Sequence, residues 1–387
     1  MNSRERVLTA LNHKEPDRVP FDLGGTVVTG IQAKAYRRLR QYLGLPEKET
    51  VIIDILQQLA QVDDDVMEHL GVDVRNVSPR STASFKIELK ETPDRQYYYF
   101  YDEYQIGWRM PIDGGMYFDM FEHPLSGEIT EETVDRYSLP DPIDPARFNG
   151  LRESARKVLE KEKRALVIGN MSAGIFELYM WTRGYKDGYA DWAGNPEFAK
   201  KILRKYIDLQ MTYWEKMFDV MKDIPIDVVQ MADDLAGQNG MLISPMSYRQ
   251  HLKPMHKEMF DYIHSKTDAK IFFHSCGSIR PIITDLIEIG VDILNPVQVS
   301  ATRMDSAELK REYGNDICFW GGGVDTQNAF DDRHTPDEVR ADVRKRLEDF
   351  MPGGGFIFNT VHNIQGNVPP ENIIAMWETV QEYGRYK

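Results

Sequence analysis

The segment Lys270-Ile-Phe-Phe-His274-Ser-Cys276-Gly277 decides the reading of the fold. Its short apolar run ends abruptly in polar groups and a glycine, as a buried strand does where it reaches a surface. Ser278 to Gly290 then spaces its apolar residues at helical intervals, and Val291-Asp-Ile-Leu-Asn-Pro296 starts a second apolar run. Strand, helix, strand with few residues left over is the parallel βαβ unit. The same alternation continues downstream through Asp316-Ile-Cys-Phe-Trp-Gly-Gly322 and Gly355-Phe-Ile-Phe-Asn-Thr360, with helical stretches over 305–314 and 335–350 between the runs. Upstream it passes through Ile226–Ala232, Ala165–Asn170, Val72–Val77 and Arg18–Leu23, and Pro196 opens a long helix to about Asp219.

Those eight runs with intervening helices match the count of a (β/α)8 TIM barrel. The rival arrangement, an open doubly wound sheet, commonly carries Gly-x-Gly-x-x-Gly after its first strand, and no run here is followed by it. Residues from about 80 to 125 break the rhythm with Phe85–Glu91, Gln96–Trp108 and Met116–Phe121, rich in aromatics and alternating charge. They read as a β-hairpin insertion between the early strands, over one rim of the mouth. Without a repeat, low-complexity tract or linker, residues 1–387 are expected to form a single α/β domain.

Sixty-one acidic against forty-seven basic side chains leave a net charge of −14, which works against a phosphate backbone as partner. The opening MNSRERVLTALNHKEPDR has no apolar core and reads as no signal peptide. No apolar run approaches the roughly 18 residues of a membrane span. Two cysteines, Cys276 and Cys318, exclude a disulfide framework, and the expected location is the cytoplasm.

Barrel chemistry gathers where strands end, so the residues just past each run are the candidates. They are Asp22, Asn76, Asn170, Asp233 with Asp234, His274 with Cys276, Asn295 with Gln298, Asp325 with Gln327, and Asn359 with His362. His274 and Cys276, two residues apart, can turn an imidazole and a thiolate toward one point, which suits zinc with one coordination position left open. The plainer alternative is a buried cysteine beside a histidine bonded to backbone. A third ligand is sought first at His362, then at Asp233 or Asp234, then at Cys318. Gly321–Gly323 and Gly353–Gly355 read as tight turns and a helix end, with a phosphate cradle as the second reading. The acidic run Asp63–Asp65 reads as a helix start, with that helix ending at Gly71. The cobalamin-holding pattern Asp-x-His-x-x-Gly is absent, since Asp332-Arg-His334-Thr-Pro-Asp337 lacks its glycine.

These motifs resemble the uroporphyrinogen decarboxylase superfamily over most of the chain. Tyr179-Met180, within Ser172–Tyr185, resembles a tyrosine segment of the decarboxylases. Asp233-Asp-Leu-Ala-Gly237 followed by Leu-Ile-Ser244-Pro245 is similar to the family's Ala-Gly segment, and Asn359-Thr-Val-His362 before Pro370-Glu371-Asn372 to its carboxyl-terminal signature. The decarboxylases' arginine-bearing opening is replaced by Arg18-Val-Pro-Phe-Asp22-Leu-Gly-Gly25. His274-x-Cys276, in contrast, resembles the metal motif of the zinc-dependent corrinoid methyltransferases.

That resemblance implies one Zn2+ per chain on His274, Cys276 and His362. It implies methyl transfer between a small methyl donor or thiol acceptor and cobalt on a separate corrinoid protein, in a monomer or homodimer. Asp233, Asp234 and Tyr179 are then expected as proton handlers, and Asp22, Asn170, Asn295, Gln298 and Asn359 as substrate contacts. The alternative is a uroporphyrinogen decarboxylase or a decarboxylase-like lyase.

Overall fold

A computed structural model describes all 387 residues. Seven of the apolar runs form one parallel sheet: β1 (Val74–Val77), β2 (Ala165–Ile168), β3 (Val228–Ala232), β4 (Lys270–His274), β5 (Ile293–Asn295), β6 (Cys318–Trp320) and β7 (Phe356–Ile357). Each strand pairs with its sequence neighbour, in the order β7-β6-β5-β4-β3-β2-β1, and the sheet curls. The expected eighth strand does not form. Phe21 makes only an isolated parallel bridge to Phe358. Pro20 has no N–H to give to a ladder, and the Asp22 carboxylate folds back onto the Gly25 N–H at 2.8 Å. The segment still spans the two sheet edges: Asp22 N–H donates to the Phe358 carbonyl and Asp73 N–H to the Phe21 carbonyl, each at 2.9 Å. The fold is therefore a curled, open seven-stranded α/β sheet where a closed eight-stranded barrel was expected.

Side chains alternate across the strands with period two. Outward residues such as Ile271, Phe273, Leu294 and Phe319 join the large core beneath the helices. Inward residues Val74, Val167, Val228, Phe272, Ile293, Cys318, Trp320 and Ile357 form a separate small core, together with Val7 and Leu11 of α1 (Ser3–Leu11). Two residues further along the same inward rows stand His274 after Phe272, Asn295 after Ile293 and Asn359 after Ile357. The pleat thus carries a dry amino-terminal layer into a polar carboxyl-terminal one.

The amino-terminal rim is held by ion pairs. Asp73, one residue before β1, accepts from the Phe21 N–H at 2.9 Å, from Arg6 at 2.7 Å and from Arg18 at 2.8 Å. Asp227, before β3, accepts from the Leu166 N–H and from Arg4, each at 2.9 Å. Asp292, before β5, accepts from the Ile271 N–H at 2.9 Å and from Lys270 at 2.8 Å. In each case an aspartate satisfies a main-chain donor at the start of the preceding segment.

The insertion is larger than a hairpin. It is a four-stranded antiparallel sheet of Lys90–Glu91, Tyr97–Tyr101, Gly107–Pro111 and Asp119–Glu122. Phe100 and Trp108 are buried, whereas Tyr101 and Arg109 are exposed. The helix Asp64–Leu70 ends at Gly71 with φ 64°, and the helix from Pro196 runs to Val220, both close to expectation. No helix is long and apolar enough to cross a membrane.

Candidate metal centre

β4 delivers His274, and the chain then turns through Ser275, Cys276 and Gly277. Gly277 has φ +88°, and a Cβ there would stand 2.6 Å from the Gly237 carbonyl oxygen, so the turn requires glycine. The loop after β3 grips this turn along its length. Asp233 N–H donates to the His274 carbonyl at 2.8 Å, Leu235 N–H to Ser275 Oγ at 3.1 Å, and Ser278 N–H to the Gly237 carbonyl at 2.9 Å. Cys276 N–H donates to Asp234 Oδ1 at 2.7 Å.

Parallel register places Asn295 of β5 beside His274. The Asn295 amide donates to the Trp320 carbonyl at 2.7 Å, so its oxygen is the atom 2.6 Å from His274 Nδ1. Nδ1 therefore carries the proton, and the Nε2 lone pair is left for a ligand. Cys276 Sγ lies 3.5 Å from that Nε2. The His362 ring faces His274 with centroids 5.4 Å apart. Donor atoms of His274, Cys276 and His362 all lie within 4.8 Å of one another.

Two nitrogens and a sulfur suit zinc, whose bonds of about 2.0–2.3 Å put neighbouring donors on the order of 3.5 Å apart. The surrounding charge fits a cation as well. Burial holds both His274 and His362 down to about 4, the neutral form that binds metal. Burial, then the Asp234 and Glu177 charges, push the Cys276 thiol well above its usual range. Glu177 is raised well above the carboxylate range by burial and by Asp234 and Asp233; Asp234 is raised mainly by burial. No arginine or lysine pairs with either acid, although arginines and lysines pair with acids elsewhere in the molecule. A divalent ion on the triad would supply the missing positive charge and favour the thiolate.

The structure distributes the other expected site residues unevenly. Asp233 is fully buried and accepts from the Phe176 and Glu177 N–H groups at 3.0 and 2.9 Å and from His256 Nε2 at 2.9 Å. It anchors the start of α2 (Ile175–Arg183). Tyr179 is likewise buried, its hydroxyl donating to the Gly188 carbonyl at 2.9 Å. Glu177, in the first turn of the same helix, is the acid beside the site. Sequence reading missed it because it also caps the helix, accepting from the Gly174 N–H at 3.1 Å.

Asn295 and Gln298 brace the loop that carries Cys276. Gln298 accepts from the Gly277 N–H at 2.7 Å and donates to Gln238 at 2.6 Å. Asn170 accepts from the Met171 N–H at 2.9 Å, with its amide 3.5 Å from Gln210. Asp22 and Asn359 share another corner. The Asn359 amide donates to the Asp22 carbonyl at 3.0 Å, and its buried Oδ1 has no partner. The Asp22 carboxylate accepts from Trp320 Nε1 at 2.8 Å, and burial pushes it up to about 6.

Cys318 belongs to the opposite rim. Its Sγ lies 3.5 Å from His13 Nε2, one inward layer below the triad, so it is excluded as third ligand. The phosphate-cradle reading also fails. Gly353 N–H donates to Glu15 and Gly355 N–H to the Ala10 carbonyl, ahead of β7 and away from the site. Gly321 and Gly323 N–H groups are committed to the Ile357 and Asn359 carbonyls.

Fold and site together define a class: a parallel α/β protein with a candidate metal centre at the carboxyl ends of its strands. The family model of uroporphyrinogen decarboxylase (URO-D) matches residues 116–383, and the chain belongs to that family. Similar curated proteins carry the same name. The enzyme of Chlorobium phaeobacteroides is 25% identical over 201 residues, 49% of this chain and 53% of its own. That of Chlorobium phaeovibrioides is 24% identical over 266 residues, 64% of this chain and 68% of its own. The chain thus spans about half the length of the first relative. A solved structure described as a methyltransferase from Methanosarcina mazei superposes with TM-score 0.61 over 99% of both chains at 18% identity, a likeness of fold.

These findings overturn the expected corrinoid methyltransferase. The family model and eight curated relatives, all named uroporphyrinogen decarboxylase, favour the decarboxylase-like alternative, and the corrinoid partner goes with the discarded reading.

Proposed function

We propose that this chain is a decarboxylase-like lyase, a single cytoplasmic domain that acts at the carboxyl-terminal rim of its sheet. The observation that carries the reading is the family match over residues 116–383. Decarboxylation breaks a carbon–carbon bond, releases CO2 and leaves an electron pair that a proton must meet. Glu177 and Asp234 are suited to hold that proton, because desolvation and neighbouring acids shift both carboxyls upward, toward the protonated form, with no arginine or lysine to oppose the shift. The Asn359 Oδ1 and the Asp22 carboxyl offer acceptors for a substrate N–H. His274, Cys276 and His362 would hold a zinc ion, and when bound it supplies positive charge that polarises a substrate oxygen.

Recognition differs from that of a polyanion-binding site. Arg18, the arginine nearest the replaced opening, is committed to Asp73 at the other rim. The substrate is therefore expected to carry fewer carboxylates than a tetrapyrrole with one on every side chain. Anaerobic incubation with uroporphyrinogen and with single-ring pyrrole acids, followed by CO2 release and product mass, tests the activity. Release that disappears in Glu177→Gln supports the reading, and no release from any of these acids removes it.

A further inference from the structure

Tyr185 is 43% exposed, yet its surroundings hold it in place. It opens the helix Tyr185–Gly194 directly after Gly184, where α2 stops. Gly184 has φ +78°, and a Cβ there would stand 3.0 Å from the His123 ring of the insertion. His123 Nδ1 lies 2.7 Å from the Trp181 carbonyl, and Arg183 donates to the Leu125 and Gly127 carbonyls at 2.5 and 2.8 Å. The insertion thereby fixes the junction between the two helices. Trp181 stands one turn after Glu177 on the same face of α2, and its indole meets the buried Trp108 at right angles, with centroids 5.4 Å apart. The Tyr189 ring lies 6.2 Å from that of Tyr185. Burial raises the Tyr185 hydroxyl, and the Glu177 and Asp234 charges add to the shift, so the phenol also feels both acids of the candidate site. A large ring held rigid with part of its surface open to water leaves contact free energy unused, and a flat ligand recovers it without a cost in ordering.

We propose that Tyr185 is a specificity-determining residue whose ring stacks on a planar, unsaturated ring of the substrate, on the side of the site where Glu177 and Asp234 stand. The inference rests on the lyase reading for the carboxylate of that ligand, and the substrate class is then a single-ring aromatic or heteroaromatic acid. Ring-on-ring contact is favoured over equal apolar area, so a saturated ring of the same size and charge is the control. Nuclear magnetic resonance titration of the purified full chain with benzoate and with cyclohexanecarboxylate tests it. Wild type should bind benzoate roughly threefold to tenfold more tightly. Tyr185→Ala, at an exposed position that leaves the fold intact, should bring the two acids within about twofold, and Tyr185→Phe should keep the preference. Equal affinities in wild type, no binding of either acid, a preference that survives in Tyr185→Ala or one that is lost in Tyr185→Phe would each overturn the proposal. Titration needs no turnover, so CO2 release measured beside it separates the two readings. A preference without release strikes the lyase reading and leaves the stacking face; release without a preference strikes the stacking face and leaves the lyase.

Discussion

The two rims of the parallel sheet use the same residue types to opposite ends. At the amino-terminal rim Asp73, Asp227 and Asp292 each meet a cation and a main-chain donor. At the carboxyl-terminal rim Asp22, Asp234 and Glu177 have hydrogen-bond donors but no arginine or lysine, and all three are raised. Each rim also sets a cysteine 3.5 Å from a histidine nitrogen, Cys276 with His274 and Cys318 with His13. What separates structure from candidate chemistry is therefore the partner each group lacks. Paired groups hold the sheet shut at one end; unpaired ones at the other are available to a ligand.

The cysteines give the sharpest way to break that comparison. Cys276→Ala is expected to lose bound zinc altogether while keeping its far-ultraviolet spectrum, since Cys276 lies past a strand end. Cys318→Ala should keep its full metal content, because His13 Nδ1 faces the Gly314 carbonyl at 3.1 Å and no third ligand stands near. Elemental analysis of the two variants beside wild type decides it. Zinc retained in the first or lost in the second would make the rims equivalent.

The carboxylates come next in size. Asp73 is wholly buried between Arg6 and Arg18, so Asp73→Asn leaves Arg18 without a carboxylate and Arg6 with Asp17 alone, and should cost about 3–5 kcal/mol of unfolding free energy. Asp234→Asn loses no cation and keeps an oxygen for the Cys276 N–H, so the metal-free protein should change by less than about 1 kcal/mol. Urea denaturation in the presence of chelator measures both. Equal losses at the two positions would show that the carboxyl-terminal acids are as structural as the amino-terminal ones.

How much of this was legible in the sequence follows the range of the interactions. Seven strands were readable because each apolar run is local, and the eighth failed because one proline removes a donor that only the sheet would have used. His274 and Cys276 were readable because two residues on one strand end must face the same way. The role of Asn295 was not, because it depends on the register between β4 and β5. Nor could sequence distinguish Asp233 from Asp234. Adjacent residues point to opposite sides, and only the packing of α2 and of α3 (Lys253–Lys266), which carries His256, shows which one is buried. Glu177 was hidden by a second, equally good reason to be there.

The smallest effect concerns pH, and its sign differs between the rims. Asp292 is lowered on balance: burial opposes the shift, but His264 and Lys270 outweigh it. Its stabilisation is present above the ordinary carboxylate value and is lost as pH falls through its folded one. Asp22 is raised by burial to about 6, against an ordinary value near 3.9. The folded chain then holds that proton more tightly than the unfolded chain does. Its stabilisation is complete below the ordinary value and is lost as pH rises through about 6. Asp22→Asn removes this dependence, at the constant cost of one acceptor for Gly25 N–H or Trp320 Nε1–H, about 1–3 kcal/mol. The stability of the variant relative to wild type should therefore be flat below about pH 4 and improve by on the order of 2 kcal/mol by about pH 7. Denaturation midpoints of the two chains across that range measure the difference, and a gap that stayed constant with pH would mean that Asp22 is ionised throughout and no different in kind from the aspartates of the other rim.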